Sequence, residues 1–350
     1  MTGPAISVIM SVYNGEAHLA EAVESVLSQT FRDFELVILD DGSTDRSLEI
    51  VRGYAAKDSR VRPIARENRG LIASLNQLID EARAPLLARM DADDRCHAER
   101  LAKQYAFLAA HPACGVVGSW TNRMGADGKV WPGSVYKFPI TPAEVRAAIG
   151  YRSILAHPTV MYRRDVVRQA HGYHPAFKHV EDFDLWLRIA DITEISNIPE
   201  PLLMYRTHDD QISSRHLLEQ RINVGISLHA WRMRQEGWPD PTAGVDRLPR
   251  LGEIDAFFGR AGIEKNILDW VVPGILYSKR ALTNGGVAAI RGYLELGGNR
   301  TGIWRTVARL AIVFGEWKAA ATLASALIKT GLASRPKPGA GETQQPLPIP

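Results

Sequence analysis

The strongest constraint on the fold is an alternation that repeats through the first 120 residues. Ile6-Ser7-Val8-Ile9-Met10-Ser11-Val12 is a short apolar run with β-branched residues, the pattern of a strand buried on both faces. Leu19, Ala22, Val23, Val26 and Leu27 follow at i, i+3, i+4, i+7 and i+8, one face of a helix. The same pairing recurs: the strand at Phe34–Leu39 precedes a helix with Leu48 and Val51. Val61–Ala65 precedes a helix with Leu71, Ile72, Leu75, Leu78 and Ile79 inward. An apolar run into Asp91 precedes Leu101, Tyr105 and Leu108, and Val116–Trp120 closes the series. Such regular alternation predicts an α/β fold: a Rossmann-like, mostly parallel sheet with helices on both faces.

In such a sheet, ligands bind beyond the carboxyl ends of the strands. Three polar clusters fall there: Tyr13-Asn14-Gly15-Glu16, Asp40-Asp41-Gly42-Ser43 and Asp91-Ala92-Asp93-Asp94. Each alone reads more readily as a solvated turn, the third with Asp93 or Asp94 capping the next helix. On one rim, however, gathered like charges cost free energy unless something positive binds between them. Asp91 and Asp93 are two residues apart, so an extended backbone points both the same way. Their hard oxygens suit Mg²⁺ or Mn²⁺, and a dication there would hold a diphosphate. Tyr-Asn-Gly-Glu-Ala-His follows the first strand in place of Gly-x-Gly-x-x-Gly, and no Gly-Lys-Ser/Thr loop occurs. Phosphates would therefore be held by metal and basic side chains, while Asp40 or Asp41 offers acceptors to a base N–H or ribose hydroxyl.

Five segments occur in order: Ser7–Gly15, Leu39–Asp45, Glu67-Asn68-Arg69-Gly70, Asp91-Ala92-Asp93-Asp94 and Val180-Glu181-Asp182-Phe183-Asp184-Leu185-Trp186. Together they resemble the family 2 glycosyltransferases of GT-A fold, over roughly residues 4–215. The resemblance implies an inverting enzyme, dependent on Mg²⁺ or Mn²⁺, that moves a sugar from a nucleoside-diphosphate donor to a hydroxyl acceptor. It points to UDP as the nucleotide and to a glycan or glycolipid acceptor in polysaccharide or glycoconjugate assembly. It implies that Ser11, Tyr13 and Glu16 line the nucleotide pocket, that Asp41 reads the base and that Arg69 lies near base or diphosphate. Asp91 would approach the ribose, Asp93 would ligate the metal and Asp182 would be the catalytic base. Later in the chain, Arg206 is a candidate phosphate contact and His208 a candidate third metal ligand. His157 reads as structural, and Trp120, Trp131 and Trp186 as sugar-stacking or core residues. The alternatives are a nucleotidyltransferase of related fold, which lacks its Gly-rich first loop here, and a catalytically dead nucleotide-sugar-binding protein.

The chain of 350 residues calls for two globular parts. We expect the glycosyltransferase domain over 1–215, a helical region over 216–333 and a disordered tail over 334–350, rich in Pro and Gly. A net charge of +3 gives no argument for nucleic acid. Cys96 and Cys114 make neither a disulfide framework nor a zinc pair, and Cys96 has no neighbouring base to give it chemistry. The N-terminus lacks a signal-peptide pattern, and the most apolar late stretch is interrupted by Arg305, Arg309, Glu316 and Lys318. A soluble, cytoplasmic chain is the expectation. Ile303, Val307, Leu310, Ala311 and Phe314 are expected on one helix face, with Arg305 and Arg309 opposite. That helix has three uses open to it: packing on the first domain, pairing in an oligomer, or peripheral contact with the inner membrane face.

Overall fold

The computed structural model describes residues 3–150, 152–207 and 216–333. His208 and the tail over 334–350 lie outside the described residues. The chain divides into two units, 3–175 with 181–207 and 176–180 with 216–333 among the described residues. Each is taken by itself.

The first unit carries an eight-stranded sheet in the order β3-β2-β1-β4-β7-β6-β8-β5. Strands β1 (Ile6–Val12), β2 (Phe34–Asp40), β3 (Val61–Ala65) and β4 (Leu86–Asp91) are mutually parallel. They are linked by helices α1 (Leu19–Leu27), α2 (Ser47–Ala55) and α3 (Leu71–Glu81). Every residue of β2 is buried, as expected of a strand covered on both faces. The register aligns the strand ends: Ser11 pairs with Leu39 and with Asp91, Val12 with Asp40, and Asp40 with Ala65. The three polar clusters therefore start from one rim.

Beyond β4 the sheet turns mixed. The two-residue β5 (Arg95–Cys96) precedes α4 (Arg100–Ala110), and β6 (Cys114–Met124) precedes α5 (Pro142–Ala148). Strand β7 (Met161–Arg163) runs antiparallel to both β4 and β6. After α6 (Arg164–Gln169) and α7 (Glu181–Ala190), β8 (Glu194–Arg206) lies parallel to β6 and antiparallel to β5. The chain reaches β7 through a tight turn. His157–Thr159 is a tight 3₁₀ turn, closed by Thr159 N–H to the Ala156 carbonyl at 2.9 Å. Pro158 has no N–H for a sheet ladder, so pairing starts after it.

The second unit is helical: α8 (Leu217–Gln235), α9 (Ile254–Phe258), α10 (Ile263–Ile275), α11 (Lys279–Ala281), α12 (Val287–Glu295), α13 (Ile303–Ala308) and α14 (Trp317–Ala333). Of the apolar face expected from Ile303 to Phe314, Val307, Ala311 and Phe314 are half-buried and Arg305 and Arg309 are exposed, although α13 passes at Arg309 into a π-helical turn. Ile303, Thr306 and Leu310 are buried, whereas Ile312 and Val313 are exposed. No helix among the described residues is long and apolar enough to cross a membrane.

Candidate active site

The site grows from the end of β4, an apolar strand interrupted by one cation, Arg89. Its side chain is almost fully buried and donates to the Asp91 carboxylate at the strand's last position. Burial opposes the charge on Arg89, but Asp91 beside it prevails and its pKa is pushed up. After Asp91 the chain turns, yet carboxylate oxygens of Asp91, Asp93 and Asp94 stay within 4.8 Å of one another. Burial raises the Asp91 pKa, with Asp93 adding to it and Arg89 opposing it.

Asp94 does not cap a helix; α4 begins only at Arg100 with Glu99 at its cap position. Asp94 is instead buried, and its Oδ1 accepts the Arg206 N–H at 2.8 Å. Its Oδ2 has no hydrogen-bond partner among the described residues. Burial, then repulsion from Asp91 and Asp93, lifts its pKa well above the ordinary carboxylate range. Three converging carboxylates, one with a buried unsatisfied oxygen, fit a hard divalent cation.

The sign of the Asp94 effect gives a testable outcome. Its folded-state pKa is raised, so the protonated form favours folding, and a cost appears as pH rises through that pKa. Asp94→Asn keeps an oxygen for the Arg206 N–H and removes one charge. In metal-free protein it should raise Tm near pH 7.5 by about 2–4 °C, the shift expected of roughly 1 kcal/mol in a domain of this size. That gain should shrink as pH falls below the raised pKa. A thermal melt at several pH values checks it; a variant less stable than wild type at pH 7.5 overturns it.

A fourth carboxylate, Asp182, stands in the first turn of α7, and its charge helps to raise Asp91. Its Oδ1 accepts the Phe183 N–H at 2.7 Å, and its Oδ2 lies 3.9 Å from Nδ1 of buried His157. The other ring nitrogen of His157 is 2.8 Å from the Tyr173 hydroxyl, and Trp186 meets the ring edge-on. Burial and the charge of Arg89 push His157 well below its ordinary pKa, so the ring is neutral. Burial raises Asp182 too, against the Phe183 N–H and Arg89. Beside it, burial and the charge of Asp182 push Glu181 up to about 7.

The other expected site residues divide into two groups. Ser11 lies on the rim between Leu39 and Asp91, while Tyr13 and Arg69 are exposed. Asp41 is only 2 % exposed. Its oxygens already accept from Arg66 Nε and from the N–H groups of Arg69 and Gly70, at 2.8–3.1 Å. Its carboxylate therefore clamps the Arg66–Gly70 loop. Gly42 allows that approach: its φ is +79°, and a Cβ there would stand 2.7 Å from the Asn68 nitrogen. Glu16 accepts from the backbone and Nε of Arg46, which joins the first two rim loops.

Arg206, expected on phosphate, is turned inward and 1 % exposed. It donates to the carbonyls of Asp93, Gly125 and Ala126 and to the Glu21 carboxylate. This guanidinium is engaged by protein oxygens and holds the Asp93–Asp94 turn in place. Trp186 is core, Trp131 is exposed, and Trp120 is half-buried with its indole N–H on the Phe138 carbonyl. Arg89 is a site residue that the sequence patterns do not single out, and His157, which they give as structural, lies against Asp182. A lone arginine inside an otherwise apolar strand was the available signal for the first.

The family profile described as Glycosyl transferase family 2 matches residues 7–170. The protein named "Putative glycosyltransferase EpsE" of Bacillus subtilis is 36% identical over 242 residues, 66% of this chain and 83% of that protein. The O-antigen biosynthesis glycosyltransferase WbnJ of Escherichia coli is 31% identical, covering 58% of this chain and 80% of that one. The amylovoran biosynthesis glycosyltransferase AmsE of Erwinia amylovora is 29% identical, covering 60% and 79%. Among solved structures, S. aureus TarS 1-349 in complex with UDP-GlcNAc superposes with a TM-score of 0.56. The two are 19% identical, over 94% of this chain and 91% of that one, a likeness of GT-A fold. On these sequence matches, the chain belongs to glycosyl transferase family 2.

Proposed function

We propose that this enzyme transfers a sugar, with inversion, from a nucleoside-diphosphate donor to an acceptor hydroxyl, using Mg²⁺ or Mn²⁺. The observation that carries the reading is the meeting of two carboxylate sets. Asp91, Asp93 and Asp94 converge with an unsatisfied buried oxygen, and Asp182 stands apart on α7 with its pKa raised. Asp91, Asp93 and Asp94 would hold the ion. When bound, such an ion offsets the negative charge that develops on the departing diphosphate.

The chain's own residues supply the rest. Asp182 takes the proton from the acceptor hydroxyl as that oxygen bonds to the anomeric carbon, opposite the breaking bond to the diphosphate. The Phe183 N–H orients the carboxylate, and neutral His157 lies beside its other oxygen. Tyr13 is exposed on the rim to stack on a base, and Arg69 is exposed to meet base or phosphate. Asp41 orders the loop that carries Arg69, and Arg206 secures the turn that carries Asp93.

The complex of TarS with UDP-GlcNAc supports a UDP-sugar as donor. The names of WbnJ and AmsE support a glycan or glycolipid acceptor in polysaccharide assembly. Exposed Trp304, Ile312, Val313 and Trp317 support peripheral contact by the helical unit, with a membrane face or a second chain. The test is thermal unfolding against common nucleotide sugars, with and without Mn²⁺. A bound donor at 100 times its Kd adds about 2.7 kcal/mol, roughly 5–10 °C here. Stabilisation should need both the UDP-sugar and the ion, and no shift with any donor under either condition would overturn the reading. Transfer assays separate an active enzyme from a dead binder, and the anomeric configuration of the product tests inversion.

A further inference from the structure

A second group of ligating side chains lies in the helical unit, where the proposed transfer chemistry has no use for it. His216 immediately precedes α8 and Glu219 lies in its first turn, three residues apart and on one face. His179 belongs to the short segment 176–180 of the same unit. That segment is tied to α8 by Gln220 Nε2 on the His179 carbonyl at 3.1 Å and Asn223 Nδ2 on the Lys178 carbonyl at 3.3 Å. His179 is also held at φ +67°, a left-handed conformation uncommon for a residue other than glycine.

The three side chains converge. His216 Nδ1 is 3.4 Å and His179 Nε2 is 3.9 Å from Glu219 Oε2, and all the ligating atoms lie within 4.8 Å of one another. Ligand atoms about 2.0–2.2 Å from a tetrahedral zinc ion stand about 3.3–3.5 Å apart, so small side-chain rotations suffice to close the set. The imidazole rings are stacked with centroids 3.9 Å apart. Two protonated rings in that arrangement would repel, whereas two neutral rings present nitrogen lone pairs.

We infer that His179, His216 and Glu219 form a binding site for a divalent transition metal of the zinc class. Two nitrogens and one carboxylate oxygen are a borderline-soft donor set, whereas Asp91, Asp93 and Asp94 offer hard oxygens only. The two sets should therefore sort Zn²⁺ from Mg²⁺. Three protein ligands leave a fourth position open. His216 and Glu219 line a cavity of about 610 Å³, which provides an entry path. Lys178, Arg247, Arg250 and Arg280 also line it and outnumber the one further carboxylate there, Asp246, so an anionic group is the favoured fourth ligand over a neutral one.

The experiment uses the full chain, stripped with chelator and titrated with Zn²⁺ against a chromogenic competitor in excess Mg²⁺. Wild type should take up one equivalent. His179→Ala and His216→Ala should each weaken it by more than about tenfold, since even outer-shell changes at metal sites cost about 10–100-fold. Asp93→Ala should retain the zinc. Glu219→Gln and His216→Gln, both at half-exposed or exposed positions, serve if a histidine-to-alanine variant does not fold. Zinc uptake by wild type no tighter than by the histidine variants overturns the inference. So does loss of zinc in Asp93→Ala with retention in His216→Ala. Because donor binding is scored separately, failure here leaves the transferase reading standing, and the reverse.

Discussion

Asp182→Asn is expected to lower kcat by about 10²–10⁴, the usual contribution of a positioned general base. The donor KM should change little, because Asp182 stands on α7 and the three convergent carboxylates gather at the end of β4. Asp93→Ala should do the opposite: donor stabilisation by Mn²⁺ falls away along with turnover. The pH profile supplies an independent check. The base must be ionised and burial raises its pKa, so kcat should climb with pH along an acidic limb shifted upward from that of a solvated aspartate. The charge of Asp182 raises Glu181 and not the reverse, so Asp182 ionises first and Glu181→Gln should leave the limb near its wild-type position. Full turnover in Asp182→Asn would remove the base assignment; intact Mn²⁺-dependent donor binding in Asp93→Ala would remove the metal assignment.

Arg89→Met should produce the largest loss of stability. The guanidinium is paired with Asp91 and also lowers the pKa of Asp94, Glu181 and Asp182. Removing one partner of a buried pair commonly costs about 3–5 kcal/mol. Asp91 keeps 30% of its side-chain exposure, which argues for the low end. A loss of about 3 kcal/mol corresponds to roughly 6–12 °C in Tm. Added Mn²⁺ should recover part of it by supplying the missing positive charge. Equal melting of variant and wild type without metal would contradict this account of the cluster.

The rim was legible because it depends on local pattern. Apolar runs ending in Asp40 and Asp91, with helices between, place those residues at one level whatever the distant packing. The roles of Asp41 and Arg206 were not legible, because saturation is a tertiary property. Nothing local indicates that Arg66 and the Arg69–Gly70 backbone fill the Asp41 oxygens, or that Arg206 reaches residues 113 and 185 positions away in sequence. From local pattern His157 reads only as structural for the same reason: its place beside the site depends on Asp182, 25 positions later. One feature was local and still overlooked. Thr141-Pro-Ala-Glu144 spells a capping box, and α5 starts there with both reciprocal bonds formed.

The short segment 176–180 has a consequence for how such a chain can be recombined. It precedes α7, the bearer of Asp182, yet its contacts group it with residues far downstream. Phe177 and Val180 are buried, and Gln220 and Asn223 bond its carbonyls. A single cut near residue 215 would not release a clean module, since five residues upstream would lose those bonds. Exchanging the helical unit between relatives would take two crossover points, and the five-residue segment would have to travel with the helices it serves.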